Sequence, residues 1–195
     1  MNKTACITCD NNFCSELPGD IRTELCSRRI VMRAKRKKSL IFDARQIVIV
    51  RSGVFIPSFL REDGKEIGLS LKKPGSLLGV GQMFTDRERM FNLYIIADFE
   101  GCVFSVSHFE SLFEKYHEFA KLAMRKCIEN LTSHSEFVVD IALSDSESKV
   151  QALQNLIDSN SAFSGIKLTH EEMAVLLGIN RVTVTKVVSG KKKGN

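Results

Sequence analysis

The sequence predicts an α+β chain: an antiparallel sandwich or roll, then a long helix, then a helix-turn-helix. Three observations carry this. Short apolar runs separated by tight turns fill Leu40 to Val106. At about Phe109 the apolar period lengthens to that of a helix. Between Leu168 and Val188 two cappable helical segments flank a glycine. The chain divides accordingly into residues 1–108, a cysteine-bearing segment with the β domain; 109–144, the long helix; and 145–195, the helix-turn-helix unit.

In the β region, Ile41, Phe42, Ile47 to Val50, Val54 to Ile56, Phe59 and Leu60 are branched, aliphatic or aromatic. Turns are expected at Arg51-Ser52-Gly53, at Asp63-Gly64 and at Pro74-Gly75. Asp-Gly suits a hairpin turn because glycine accepts φ > 0. Pro-Gly suits the centre of a type II turn. Further strands are expected at Phe91 to Ile96 and Cys102 to Val106.

Leu112, Phe113, Tyr116, Phe119 and Leu122 then recur at helical spacing, and a longer helix runs to about Ser144. On it Met124, Leu131 and Val138 lie seven apart, with Cys127, His134 and Ile141 three residues after each. That is a heptad seam with one polar member. The β domain could cover such a stripe, but a symmetry mate covers it more simply, so a homodimer is expected.

The helix-turn-helix is the most specific pattern. Thr169 and Glu172 fit a capping box. Gly178 falls where the chain must turn, and Asn180 can cap the second helix. The second helix of such a pair enters the DNA major groove with its first residues at the base edges. Arg181, Val182, Thr183, Thr185 and Lys186 would face outward there, with Thr169 and Asn180 at the helix starts. Arg181 and Lys186 suit guanine edges or phosphates. An ordinary amphipathic helix pair is the plainer alternative.

Composition agrees with a globular chain. Of 195 residues 44% are hydrophobic and 26% charged, too apolar for intrinsic disorder. No apolar run approaches the ~18–20 residues of a bilayer span. The first 25 residues hold no secretory h-region, so a cytoplasmic protein without a membrane partner is expected. The net charge is +5, unevenly spread. Seven of eleven residues from Arg28 to Lys38 are basic, as are five of fifteen from Arg181 to Asn195, and neither stretch holds an acid. Such runs attract polyanions, unless they serve only as a solvated surface.

Roll-like strands, a long dimer helix and a C-terminal helix-turn-helix, in that order, resemble the Crp/Fnr family of bacterial transcription regulators. The best-matching pieces are Ile49-Val50-Arg51-Ser52-Gly53 and Leu168 to Val188. The resemblance implies a cyclic-nucleotide-binding-like roll acting as sensor, a homodimer, palindromic double-stranded DNA and RNA polymerase as a further partner. Members that bind cyclic nucleotides use a Gly-Glu pair and an Arg-Ser/Thr pair. Here Val80 replaces the acid and Phe91 the arginine, so no cyclic nucleotide is expected. Arg87 and Arg89 leave room for a different anion. The family also continues into a winged hairpin. This sequence reads Lys191-Lys192-Lys193-Gly194-Asn195 there, so a unit lacking most of the wing is expected.

The six cysteines are crowded, with Cys6, Cys9, Cys14 and Cys26 in the first 26 residues. Without a secretory leader this suggests a metal site, a redox switch or isolated buried thiols. Cys6, Cys9 and Cys14 with Cys102 resemble the ligand set of the fumarate and nitrate reduction regulators, which implies a [4Fe-4S] cluster. Cys102 falls about two residues early in that alignment, and Cys26 is an alternative ligand. Zinc, a thiol–disulfide pair and inert thiols are the other readings. The four histidines are scattered, and no catalytic constellation stands out, so an enzyme is not expected. The functional alternative is a small-molecule-binding or protein-interaction module of the same fold with little specific DNA binding.

Overall fold

A computed structural model describes residues 12–42, 45–60, 66–85, 91–142 and 144–191. Cys6, Cys9, the Asp63-Gly64 turn, Arg87, Arg89 and the final lysines from Lys192 lie outside the described residues. Two short helices, α1 (Asn12–Ser15) and α2 (Gly19–Ser27), precede six strands. These are β1 (Ile30–Ala34), β2 (Ser39–Phe42), β3 (Gln46–Leu60), β4 (Glu66–Gly68), β5 (Leu77–Leu78) and β6 (Phe91–Ser105). Five further helices follow: α3 (Val106–Lys115), α4 (His117–Ala142), α5 (Ser146–Ser159), α6 (His170–Leu177) and α7 (Arg181–Lys191). The fold is α+β, as the sequence predicts.

The roll is built on two 15-residue strands, β3 and β6, paired antiparallel along their length. β1 and β2 add to successive halves of β6, and β5 and β4 to successive halves of β3. Arg51-Ser52-Gly53 is therefore not a turn. It is a bulge within β3, where the register against β6 shifts between Val50 and Phe55. Gly53 has φ +91°, and a Cβ there would lie 2.4 Å from the Asp98 carbonyl oxygen. Only glycine lets the two strands bend together at that point. The expected strands at Phe91 and Cys102 likewise merge into β6. At Pro74-Gly75 the turn is as expected: Gly75 has φ 87° and the Ser76 N–H donates to the Lys73 carbonyl at 3.1 Å.

Strand alternation explains how β3 serves three cores. Val48, Val50 and Phe55 point into the roll with Phe42, Leu93 and Ile95. On the outer face, Ile47 and Ile49 meet α1 to α4 through Phe13, Leu25, Phe109 and Phe119. Beyond the bulge, Val54 and Ile56 meet the C-terminal unit through Val150, Leu153, Leu176 and Leu177. One face of one strand thus carries the helical base of the roll and the helix-turn-helix.

The basic run from Arg28 to Lys38 forms β1 and the turn into β2, strands that its charges conceal in the sequence. Several of its bases are spent on acids of β6. Arg33 pairs with Glu100 at 2.6 Å, and Lys35 with Asp98 at 2.7 Å. The Arg36 N–H also donates to Asp98 at 2.9 Å, and these two contacts hold that carboxyl below its ordinary pKa. The long helical region is broken once, at Tyr116, whose backbone is extended.

Candidate nucleic-acid interface

α6 begins with the predicted reciprocal cap. The Glu172 N–H donates to Thr169 Oγ1 at 3.2 Å, and the Thr169 N–H to Glu172 Oε2 at 2.6 Å. It ends at Gly178, which has φ 62° and donates its N–H to the Ala174 carbonyl. That left-handed residue turns the chain so that α6 and α7 lie bent by 115°. Asn180 Oδ1 accepts from the Val182 N–H at 2.8 Å and so opens α7. Val184 is fully buried beneath it.

The outer face of α7 carries the residues expected there. Arg181, Val182, Thr185 and Lys186 are exposed, and Thr183 is half-buried. Val182 is 59% exposed, an apolar side chain left in water at the start of the helix. Arg181 Nε lies 3.7 Å from the Glu171 carboxylate, with both side chains solvated, so this pair is a weak restraint. Thr185 Oγ1 donates back to the Arg181 carbonyl at 3.0 Å. It also meets His170 Nδ1 at 2.9 Å, a contact between the two helices that the sequence pattern does not reveal.

This unit is fastened to the roll at two points. A Cβ on Gly68 of β4 would meet the Leu176 Cα at 3.2 Å and the Val175 carbonyl oxygen at 3.3 Å, so strand and helix backbones nearly touch. Arg36, at the β1–β2 turn, donates to the Lys167 carbonyl at 2.9 Å and stands 3.8 Å from Glu172. Glu172 is 2% exposed, and it caps α6 while facing that guanidinium.

The seam residues of α4 separate into two rows. Met124, Leu131 and Val138 are exposed, by 39%, 64% and 45%. Cys127 packs against the chain's own helical core, and burial raises its thiol pKa. His134 is half-buried near Lys72; burial first, and the lysine's charge second, lower its pKa. Ile141 lies in the last turn of α4. The exposed row is completed by Ile128, at 57%.

Of the candidate cluster ligands, Cys14 and Cys102 are buried in the same apolar core, and Cys26 is half-buried on α2. Cys6 and Cys9 lie outside the described residues, and among the described residues no three ligating side chains are grouped for a metal. Val80 is 2% exposed within that core, so the position the resemblance gives to a ribose-binding acid is an apolar contact. No single described helix is long and apolar enough to cross a membrane.

A bent antiparallel roll, a long helix with an apolar outer row and a capped helix-turn-helix make up a fold that this chain shares with solved structures. Neither a family model nor a curated protein matches this sequence. Solved structures do. The c-di-GMP-responsive global regulator CLP of Xanthomonas campestris is 16% identical, with TM-score 0.75 over 91% of this chain and 93% of that one. FixK2 of Bradyrhizobium japonicum is 15% identical, with TM-score 0.70 over 85% of each chain. A crp/fnr-family transcriptional regulator of Eubacterium rectale is 13% identical, with TM-score 0.71 over 94% of this chain and 87% of that one. The first of these is a global regulator of gene expression and the third a transcriptional regulator.

Proposed function

We propose that the chain is a Crp/Fnr-type transcription regulator that binds palindromic DNA as a homodimer. Residues 1–108 act as sensor, 109–144 as the dimer helix and 145–195 as the DNA reader, with RNA polymerase as the downstream partner. The observation that carries this reading is the 115° helix pair whose second member leaves Arg181, Val182, Thr185 and Lys186 in solvent. The apolar row on α4 supports pairing, which would hold two copies of α7 about 34 Å apart on B-DNA.

The test uses a site selected from random duplex. Arg181→Ala is expected to weaken binding to the preferred palindrome by about tenfold or more and to relax the base preference at one position per half-site. Unchanged affinity and preference would remove Arg181 from base reading. A salt titration separates this from the module alternative. Sequence-specific binding persists at moderate salt, whereas binding by terminal lysines fades and ignores sequence.

For the sensor, the shared burial of Cys14 and Cys102 favours a cysteine-based site. A [4Fe-4S] cluster held by Cys6, Cys9, Cys14 and Cys102 would supply oxygen- or redox-sensitivity, with Cys26 as the alternative ligand. Anaerobically purified protein is then expected to absorb in the visible and to contain iron and acid-labile sulfide. A colourless, iron-free preparation eliminates the cluster. No cyclic nucleotide is expected, since Val80 and Phe91 stand where the resemblance gives an acid and an arginine.

A further inference from the structure

A cavity of about 210 Å³ lies where the roll, α4 and α5 meet. The segment between β4 and β5 lines it with Ser70 and Lys72, α4 with Asn130, and the C-terminal unit with Lys149, Leu153 and Phe163. It is separate from the region around Val80, which belongs to the helical core rather than to the core shared with the DNA reader.

The polar wall is incomplete as it stands. Lys72 is half-buried, and that burial alone pulls its ammonium down to about 8. Its hydrogen bond is to Asn130 Oδ1 at 3.2 Å; Glu136 on α4 also lines the cavity, but it is exposed and no ion pair among the described residues joins it to Lys72. Asn130 is held in that orientation because its Nδ2 donates to the Leu77 carbonyl at 2.9 Å. Ser70 Oγ is buried, in a residue 6% exposed, and has no hydrogen-bond partner. His134 Nε2, one turn beyond Asn130 on α4, is likewise buried and unpartnered. A half-buried cation without a paired counter-ion, beside unsatisfied polar atoms, is costly unless something completes it. What completes it must bring negative charge and accept hydrogen bonds. The C-terminal unit adds apolar lining through Leu153 and Phe163, both buried, beside Lys149 and Asn160. The volume is below the roughly 300–1,000 Å³ of drug-sized sites.

We propose that this cavity binds a small organic anion, its carboxylate or phosphate oxygens accepting from Lys72 and Ser70 and its apolar body lying on Leu153 and Phe163. The ligand touches both the roll and the DNA reader, so its occupancy fixes one against the other. That last step rests on the DNA-binding reading above; the binding step does not.

The full-length chain is titrated by calorimetry with benzoate, phenyl phosphate and inorganic phosphate, in the absence of DNA. At least one aromatic anion is expected to bind, with inorganic phosphate at least tenfold weaker. Benzoate and phenyl phosphate together decide which head the site prefers. Lys72→Met is expected to weaken the better probe at least tenfold, and Ser70→Ala several-fold, while both variants melt no earlier than the parent. A hydroxyl or ammonium serving only the fold would instead lower the melting temperature when removed. Failure of both aromatic anions to bind at millimolar concentration, or equal binding by Lys72→Met, overturns the site. The same probe is then added to the DNA titration, where a several-fold change in affinity is expected for the parent and none for Lys72→Met. Binding without that change overturns the effector role. Loss of DNA binding by the parent with ligand binding intact overturns the DNA reading instead.

Discussion

A variant carrying Ile128→Asp and Leu131→Asp is expected to sediment as a monomer and to bind a two-fold DNA site at least two orders of magnitude more weakly than the parent. Ile128 and Leu131 are 57% and 64% exposed on one chain, midway along a 26-residue helix. With Met124 and Val138 they make an apolar row spaced by four, three and seven residues, interrupted only at Ser135, which fits the period of a paired helix seam. Because both side chains already stand in water in the single chain, aspartate there alters its stability by about 0.5 kcal/mol at most. In a pair, however, four carboxylates would be buried face to face. The loss on DNA follows from tethering: two linked readers gain roughly 10²–10⁴ over one. Equilibrium sedimentation and a DNA titration measure both effects. A dimer that survives the double substitution would place the subunit contact elsewhere.

Lys72→Met is expected to stabilise the unliganded fold by about 2 kcal/mol near neutral pH. Lowering an ammonium from 10.5 to about 8 corresponds to about 3 kcal/mol of disfavoured charge in the folded state. Methionine has a similar length and no charge, and it forfeits the hydrogen bond to Asn130, about 1 kcal/mol. The sign with pH is also fixed. Between about pH 8 and 10.5 the folded lysine is neutral while the unfolded chain still binds the proton. The unfolded state then holds more protons, so the parent gains stability as pH rises through that window. Below it the penalty is fully present. The charged and titratable groups around the cavity are Lys73 on the same segment, His134 and Glu136 on α4 and Lys149 on α5. Urea unfolding at pH 7 and pH 10 checks this. A less stable variant, or one that retains the same gain at high pH, would contradict it.

The helix-turn-helix was legible because its determinants are local. Thr169, Glu172, Gly178 and Asn180 act on backbone groups within four residues of themselves, and the turn at Pro74-Gly75 is likewise closed by the local Ser76-to-Lys73 bond. Features set by distant partners were not. β1 and the turn after it read as a charge run, because the acids that pair Arg33 and Lys35 lie over sixty residues away. Gly53 reads as a turn, because the choice between turn and bulge depends on the backbone of β6 opposite it. The phase of the α4 seam depends on which face the rest of the chain covers. Cys127 and His134 fit a heptad as well as Ile128 does until the core claims them. Nothing around Lys72 in the sequence announces that its ammonium is half-buried.

Leu176, Leu177 and Ile56 share one oil-filled joint between sheet and reader. Pulling that joint open would wet each of these side chains at about 1.5–3 kcal/mol apiece. A signal transmitted between distant sites commonly amounts to about 1–3 kcal/mol in total. Such a signal is too small to detach the reader. On the regulator reading proposed above, the responses are small adjustments of α6 against β4 that keep these side chains in contact.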